Sequence, residues 1–140
     1  MLEVGTGHGW QTALLASLAR TVWSVERWPD LGETARANLA AAGITNAHVV
    51  LGDGTLGLPG EAPFDAVIVA AAFQSVPPPL ASQLVPGGRL VQPIGPGGDD
   101  DVTLFERSAE GLVRIRSVVP AHFVRLYGRH AHARPDGVAR

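Results

Sequence analysis

Three places in this chain carry residue types and spacings suited to holding a ligand. Glu3 is followed by Gly5, Gly7 and Gly9, an acid and three alternate glycines closing a short apolar run, Met1 to Val4. Glu26 closes a second apolar run, and Asp53 stands between Gly52 and Gly54 at the end of a third. Glycines let a backbone bend sharply and approach a ligand with no Cβ in the way. Carboxylates accept hydrogen bonds from hydroxyls and amines. A strand-end acid such as Glu26 can accept both hydroxyls of a ribose. Asp53 can accept from the exocyclic amine of an adenine while a neighbouring backbone amide meets a ring nitrogen. This is the chemistry of nucleoside recognition.

Other glycine-rich motifs fit less well. A dinucleotide fingerprint, Gly-x-Gly-x-x-Gly, needs a glycine or alanine at its last position so that the helix can pack on the strand. That position is Trp10. A phosphate-cradling loop needs Gly-Lys-Ser or Gly-Lys-Thr, and the chain contains no lysine. Each acid also has a bland reading of comparable weight, as a loop residue or a turn. Three such signals at three successive strand ends are harder to dismiss, because open α/β sheets bind ligands beyond the carboxyl ends of their strands. Glu26 also lies close to the ~20-residue separation expected between such a glycine turn and a ribose-binding acid.

The elements that must position these residues follow from periodicity. Residues 10–19 read as a helix with Leu14, Leu15 and Leu18 facing the sheet and Arg20 closing its end. Residues 21–26 read as a strand. Residues 30–43 read as a helix with capping-box spacing at Asp30 and Glu33, a buried stripe of Leu31, Ala35 and Leu39, and Gly43 at the left-handed stop. A third strand spans 47–51. Residues 64–72 are almost wholly apolar, as a central parallel strand should be, with Asp65 at its start read as a structural acid. A short helix at 80–84, a Pro86-Gly87-Gly88 turn and a strand at 89–94 come next.

From there the pattern changes. Residues 95–101 read as a solvated, acidic hairpin loop, and 102–107 and 112–119 as antiparallel strands. Residues 123–127 are a further candidate strand. Residues 129–140 read as a frayed tail, in which His130 and His132 are polar residues rather than a metal pair. The expectation is an α/β fold, a mostly parallel twisted sheet with antiparallel C-terminal strands, as one domain over 1–128.

Composition narrows the classes. With 140 residues, 46% apolar and 17% charged, the chain suits one compact domain. A net charge of −2 gives no basic footprint for nucleic acid. Cysteine is absent, which removes disulfides and thiolate chemistry and is compatible with a reducing cytoplasm. No run approaches the ~20 apolar residues of a membrane span.

Taken together, the stretch Leu2-Glu3-Val4-Gly5-Thr6-Gly7-His8-Gly9-Trp10-Gln11-Thr12, the pair Glu26-Arg27, Gly52-Asp53-Gly54, and the segment from Leu84 to Gly95 resemble the protein-L-isoaspartate O-methyltransferases. His122-Phe123-Val124-Arg125-Leu126 adds to the likeness. The resemblance implies a Rossmann-like methyltransferase fold and S-adenosylmethionine as cofactor. It also implies methyl transfer to the carboxylate of isoaspartyl residues in damaged proteins, as a cytoplasmic and monomeric enzyme. Cofactor contacts are implied at Glu3, Gly5, Thr6, Gly7, Gly9, Glu26, Arg27, Asp53 and Gly54. Two readings stand beside it: a cofactor-binding but catalytically weak fragment, and a relative acting on Asp of a peptide natural product. His8 replaces a residue that is usually small in the family, and Trp10 one that is often Tyr. Family members also carry an N-terminal segment with a Ser- or Thr-containing loop and a Pro-His-Met signature that holds substrate. Nothing here matches it, so a fragment or a mis-called start is expected, poor turnover or none by this chain alone is expected, and no catalytic residue is assigned.

Overall fold

The computed structural model describes residues 1–133. It contains strands β1 (Leu2–Val4), β2 (Val22–Glu26), β3 (Ala47–Leu51), β4 (Phe64–Val69), β5 (Leu84–Ile94), β6 (Asp100–Ser108) and β7 (Gly111–Ala121). The helices are α1 (Trp10–Leu18), α2 (Pro29–Ala41) and α3 (Pro78–Ser82). One seven-stranded sheet runs in the order β3-β2-β1-β4-β5-β6-β7. The first five strands pair parallel, and β5-β6-β7 pair antiparallel. The expected mixed sheet is therefore present, and its chain order reverses beside β1. At such a reversal the connections leave in opposite directions and open a crevice at the strands' carboxyl ends.

The core lies on the central strands. Leu2, Val4, Val25, Val67, Val69 and Leu90 are buried and join Leu80, Leu84 and Leu126 in one cluster. All three residues of β1 are buried, so the strand is covered on both faces. The Met1 amino group donates to the Thr21 carbonyl at 2.8 Å, and burial lowers its pKa.

Several local expectations needed correction. Thr12 is the one buried residue of α1, whereas Leu14 and Leu18 are 48% and 84% exposed. The phase of this helix is set by its first turn, where Gln11 and Thr12 are drawn onto Glu3, and not by its leucines. Its last turn carries no basic side chain; Asn46 Nδ2 instead donates to the Ala16 and Ala19 carbonyls at 2.8 and 3.0 Å. Helix α2 starts at Pro29, with Trp28 as N-cap and no side-chain cap bond, so Asp30 and Glu33 form no capping box. Proline suits that first position because its missing N–H would have no helical partner. At its other end the expected stop is present: Gly43 has φ 70°, and the Ile44 N–H reaches the Leu39 carbonyl at 3.0 Å.

The residues 95–101 are not a solvated loop throughout. Asp100 is buried and accepts from the Gly97, Gly98 and Phe123 N–H groups at 2.8, 2.9 and 3.1 Å. Burial alone would push its pKa up, but these three donors and nearby His122 outweigh that and hold it below the usual range. Asp65 lies in β4 with its side chain exposed, and its charge acts on the Met1 amino group. Residues 123–127 do not extend the sheet as a strand. They form a bridge to Ala72, whose N–H donates to the Val124 carbonyl and whose carbonyl accepts the Leu126 N–H, both at 2.8 Å. This segment crosses the carboxyl ends of the strands and leads directly to the site.

Candidate cofactor site

The turn after β1 is built by glycine. Gly5, Gly7 and Gly9 all have positive φ, at 94°, 57° and 87°. L-residues with a Cβ rarely adopt that region. At Gly9, which is the N-cap of α1, a Cβ would also lie 3.3 Å from the Ala35 Cβ, a tight contact against α2 on top of the positive φ.

Behind this turn lies Glu3, fully buried. Its carboxylate accepts from Gln11 Nε2 at 2.9 Å, Thr12 Oγ1 at 2.5 Å and Ser24 Oγ at 2.5 Å. Thr6 Oγ1 joins through Ser24 Oγ at 2.5 Å. Burial raises the Glu3 pKa, partly offset by the donors from Ser24, Thr12 and Gln11, with the Glu26 charge adding to the rise. Glu3 and Thr6 therefore hold β1, β2 and α1 together. Neither lines the open cavity, and nor does Gly9.

Glu26, at the end of β2, is nearly buried. Its Oε2 accepts the Gly7 N–H at 2.8 Å, and its Oε1 accepts the Arg27 and Trp28 N–H groups at 2.8 and 3.0 Å. A carboxylate oxygen has about two acceptor positions. Oε1 is thus filled and Oε2 keeps one. The three backbone donors leave one of the carboxylate's roughly four acceptor positions open, on the oxygen that faces Gly7.

Glu26, Gly5, Gly7, Arg27 and Gly54 line a cavity of about 410 Å³ together with Val4, Ala70 and residues 124–127. A second cavity of about 400 Å³ adjoins it, lined by Gly52, Asp53, Tyr127 and Gly128. Arg27, Trp28 and Tyr127 belong to both. The Arg27 guanidinium lies 5.0 Å from the Trp28 ring and 5.3 Å from the Tyr127 ring. Its Nη1 is buried with no hydrogen-bond partner. Both volumes fall in the range of small-molecule sites, about 300–1,000 Å³.

Asp53 caps a one-turn 3-10 helix, Gly54–Leu56. Burial works against its charge, but the Arg129 N–H, the Thr55 hydroxyl and N–H, and the Arg27 charge together lower its pKa. The sequence-expected residues thus divide. Gly5, Gly7, Glu26, Arg27, Asp53 and Gly54 face the two cavities, whereas Glu3, Thr6 and Gly9 support them from behind. His8 is exposed and lines neither. Reading by residue type missed Trp28, Tyr127 and the backbone of residues 128–130. The only sequence signal for the last was Gly128, and the expected frayed tail from Arg129 proves to be packed on Asp53 as far as the structure describes it. Residues 134–140 lie outside the described residues.

A parallel sheet that reverses beside β1, a glycine turn after that strand and an acid at the end of the next define a Rossmann-like methyltransferase fold. The family description "Protein-L-isoaspartate(D-aspartate) O-methyltransferase (PCMT)" matches residues 1–131, and the chain belongs to that family. A protein-L-isoaspartate O-methyltransferase of Anaeromyxobacter dehalogenans (strain 2CP-C) is 52% identical over 128 residues, 90% of this chain and 61% of its own length. One from Pyrococcus horikoshii is 43% identical over 133 residues, 93% of this chain and 60% of its own. The chain thus spans about three fifths of the curated relatives it matches. A solved protein-L-isoaspartate O-methyltransferase superposes with TM-score 0.83 at 29% identity, covering 93% of this chain and 42% of that one. Among the described residues no helix is long and apolar enough to cross a membrane.

Proposed function

We propose that this chain binds S-adenosylmethionine and methylates the free α-carboxylate of isoaspartyl residues in proteins or peptides. The observation that carries the reading is the placement of Glu26 and Asp53 at neighbouring strand ends, flanking two joined cavities under the segment 124–128. Each acid keeps an acceptor position free on one oxygen, Oε2 of Glu26 and Oδ2 of Asp53. That suits a ribose hydroxyl at one and an adenine amine at the other, with Gly5 and Gly7 shaping the amino-acid end. When bound, the cofactor would supply an electrophilic methyl on a sulfonium. The accepting carboxylate is ionised at neutral pH, so the reaction needs no general base. What it asks of the protein is alignment of the two reactants and exclusion of water. The reading carries with it a cytoplasmic protein acting as a monomer.

The test is incubation with methyl-labelled S-adenosylmethionine and an isoaspartyl peptide beside its aspartyl twin. Base-labile label on the isoaspartyl peptide alone is expected. Slow labelling is expected from this chain alone; equal labelling of the two peptides would overturn the reading, and cofactor binding with no transfer to either would replace it with the cofactor-binding fragment.

A further inference from the structure

Residues 128–130 reach back to Asp53 across a separation of 76 positions, and they do so through backbone alone. The Arg129 N–H donates to Asp53 Oδ2 at 2.7 Å. The His130 N–H donates to Thr55 Oγ1 at 3.2 Å, and that hydroxyl donates to Asp53 Oδ1 at 2.7 Å. The Thr55 N–H takes the other position on Oδ1 at 2.9 Å. Thr55 is fully buried, so its hydroxyl has no water to turn toward. The approach is close: a Cβ on Gly128 would fall 2.2 Å from Asp53 Oδ1 and 2.7 Å from Thr55 Oγ1. Only glycine lets the strand of backbone lie there.

Oδ1 is filled by two donors from Thr55, and Oδ2 is half filled by Arg129. One acceptor position remains, on Oδ2, in a residue that lines the cavity beside Tyr127 and Gly128. We propose that the backbone of residues 128–130 is a positioning element for adenine. It holds the Asp53 carboxylate so that its single free acceptor position meets an exocyclic amine, which makes the segment a determinant of base selectivity. The inference rests on the S-adenosylmethionine reading and adds to it a part of the chain that contributes no side chain to the contact. The cost of a misplaced acceptor falls on ligands that bring a donor, because an amine buried without its partner loses its hydration for nothing.

The experiment compares S-adenosylhomocysteine with its purine analogue, which lacks only the exocyclic amine, by calorimetry on the 140-residue protein. The natural chain should prefer the amine-bearing ligand by roughly ten- to a hundredfold, as for a hydrogen bond to a charged group. In Gly128→Ala, which forces the backbone away, and in Arg129→Pro, which deletes the donating N–H, the preference should collapse to about threefold or less while the purine analogue binds nearly as before. A role in general support would weaken both ligands equally and leave the ratio intact, which overturns the proposal. Loss of the fold in both variants, read from circular dichroism, would overturn it too by making the segment a structural prop. Failure of the natural chain to bind either ligand would remove the cofactor reading itself, an outcome distinct from binding with an unaltered ratio.

Discussion

The Glu26 carboxylate accepts the Gly7 N–H at 2.8 Å, so the acid that ends β2 and the glycine turn that follows β1 form one unit. The same carboxylate fixes the Arg27 and Trp28 N–H groups through its other oxygen. Glu26 therefore shapes the cavity wall as well as offering an acceptor to a ligand. Glu26→Ala should weaken S-adenosylmethionine binding by about 1.5–3 kcal/mol, the scale of hydrogen bonds to a charged group. Unchanged affinity by isothermal titration calorimetry would take Glu26 out of the site.

Glu3 should behave differently, because its three donors are internal and it lines neither of the two joined cavities. Glu3→Ala would leave the buried Thr12 hydroxyl without its acceptor, at about 1–3 kcal/mol, and leave Ser24 only Thr6 to bond to. The expected result is a large drop in urea midpoint, with whatever protein remains folded still binding cofactor. A variant of unchanged stability that had lost cofactor affinity would return Glu3 to the ligand's first contacts.

This division was only partly legible in the sequence. The glycine turn, Glu26 and Asp-Gly were readable because each needs a particular residue type at a strand end. Glu3 was read as shaping the pocket, since an acid ahead of a glycine turn looks alike whether it faces a ligand or the helix behind. Which way it turns depends on Thr12 and Ser24, which approach it only once the sheet has formed. Asp65 and Asp100 exchanged roles for a similar reason. The first precedes a strongly apolar strand yet projects to solvent, while the second sits in a glycine-rich acidic run yet is buried by backbone donors. Backbone N–H groups carry no residue signature, so sequence could not announce them. Asp65→Ala should accordingly change stability by no more than about 0.5 kcal/mol, as for a surface substitution. A clear fall in melting temperature would restore its structural role.

The acids also set opposite pH dependences. The Asp100 and Asp53 carboxyls titrate below their ordinary range in the folded protein. In the unfolded chain they bind protons near pH ~3.9. As pH falls through that value and below, the unfolded state holds more protons and stability is lost. Glu3 runs the other way: its folded pKa is raised, so its contribution is greatest below about pH 4.3 and declines as pH rises through the interval above. Asp100→Asn should cost about 1–3 kcal/mol at pH 7, because an amide cannot serve all three backbone donors. It should also flatten the acid limb of a melting-temperature profile between about pH 5 and 2. An acid limb identical to that of the natural chain would mean Asp100 is not one of the groups responsible.

In α1 the leucine spacing and the burial disagree. Leu14 and Leu18 lie one turn apart and are 48% and 84% exposed, with Trp10 a turn before them at 76%. Thr12, a polar residue, takes the sheet-facing position because its hydroxyl bonds to Glu3 at 2.5 Å. A side chain already in water gains little from being apolar. Leu14→Gln and Leu18→Gln should therefore change the unfolding free energy of the 140-residue chain by no more than about 0.5 kcal/mol. Thr12→Val keeps the shape but removes a donor to a buried carboxylate, and should cost about 1–3 kcal/mol. Urea denaturation followed by circular dichroism measures all three. If Leu18→Gln proved the costlier change and Thr12→Val the milder, the helix would have to be turned so that its leucines face the sheet, and the bond between Thr12 and Glu3 would be lost with that rotation.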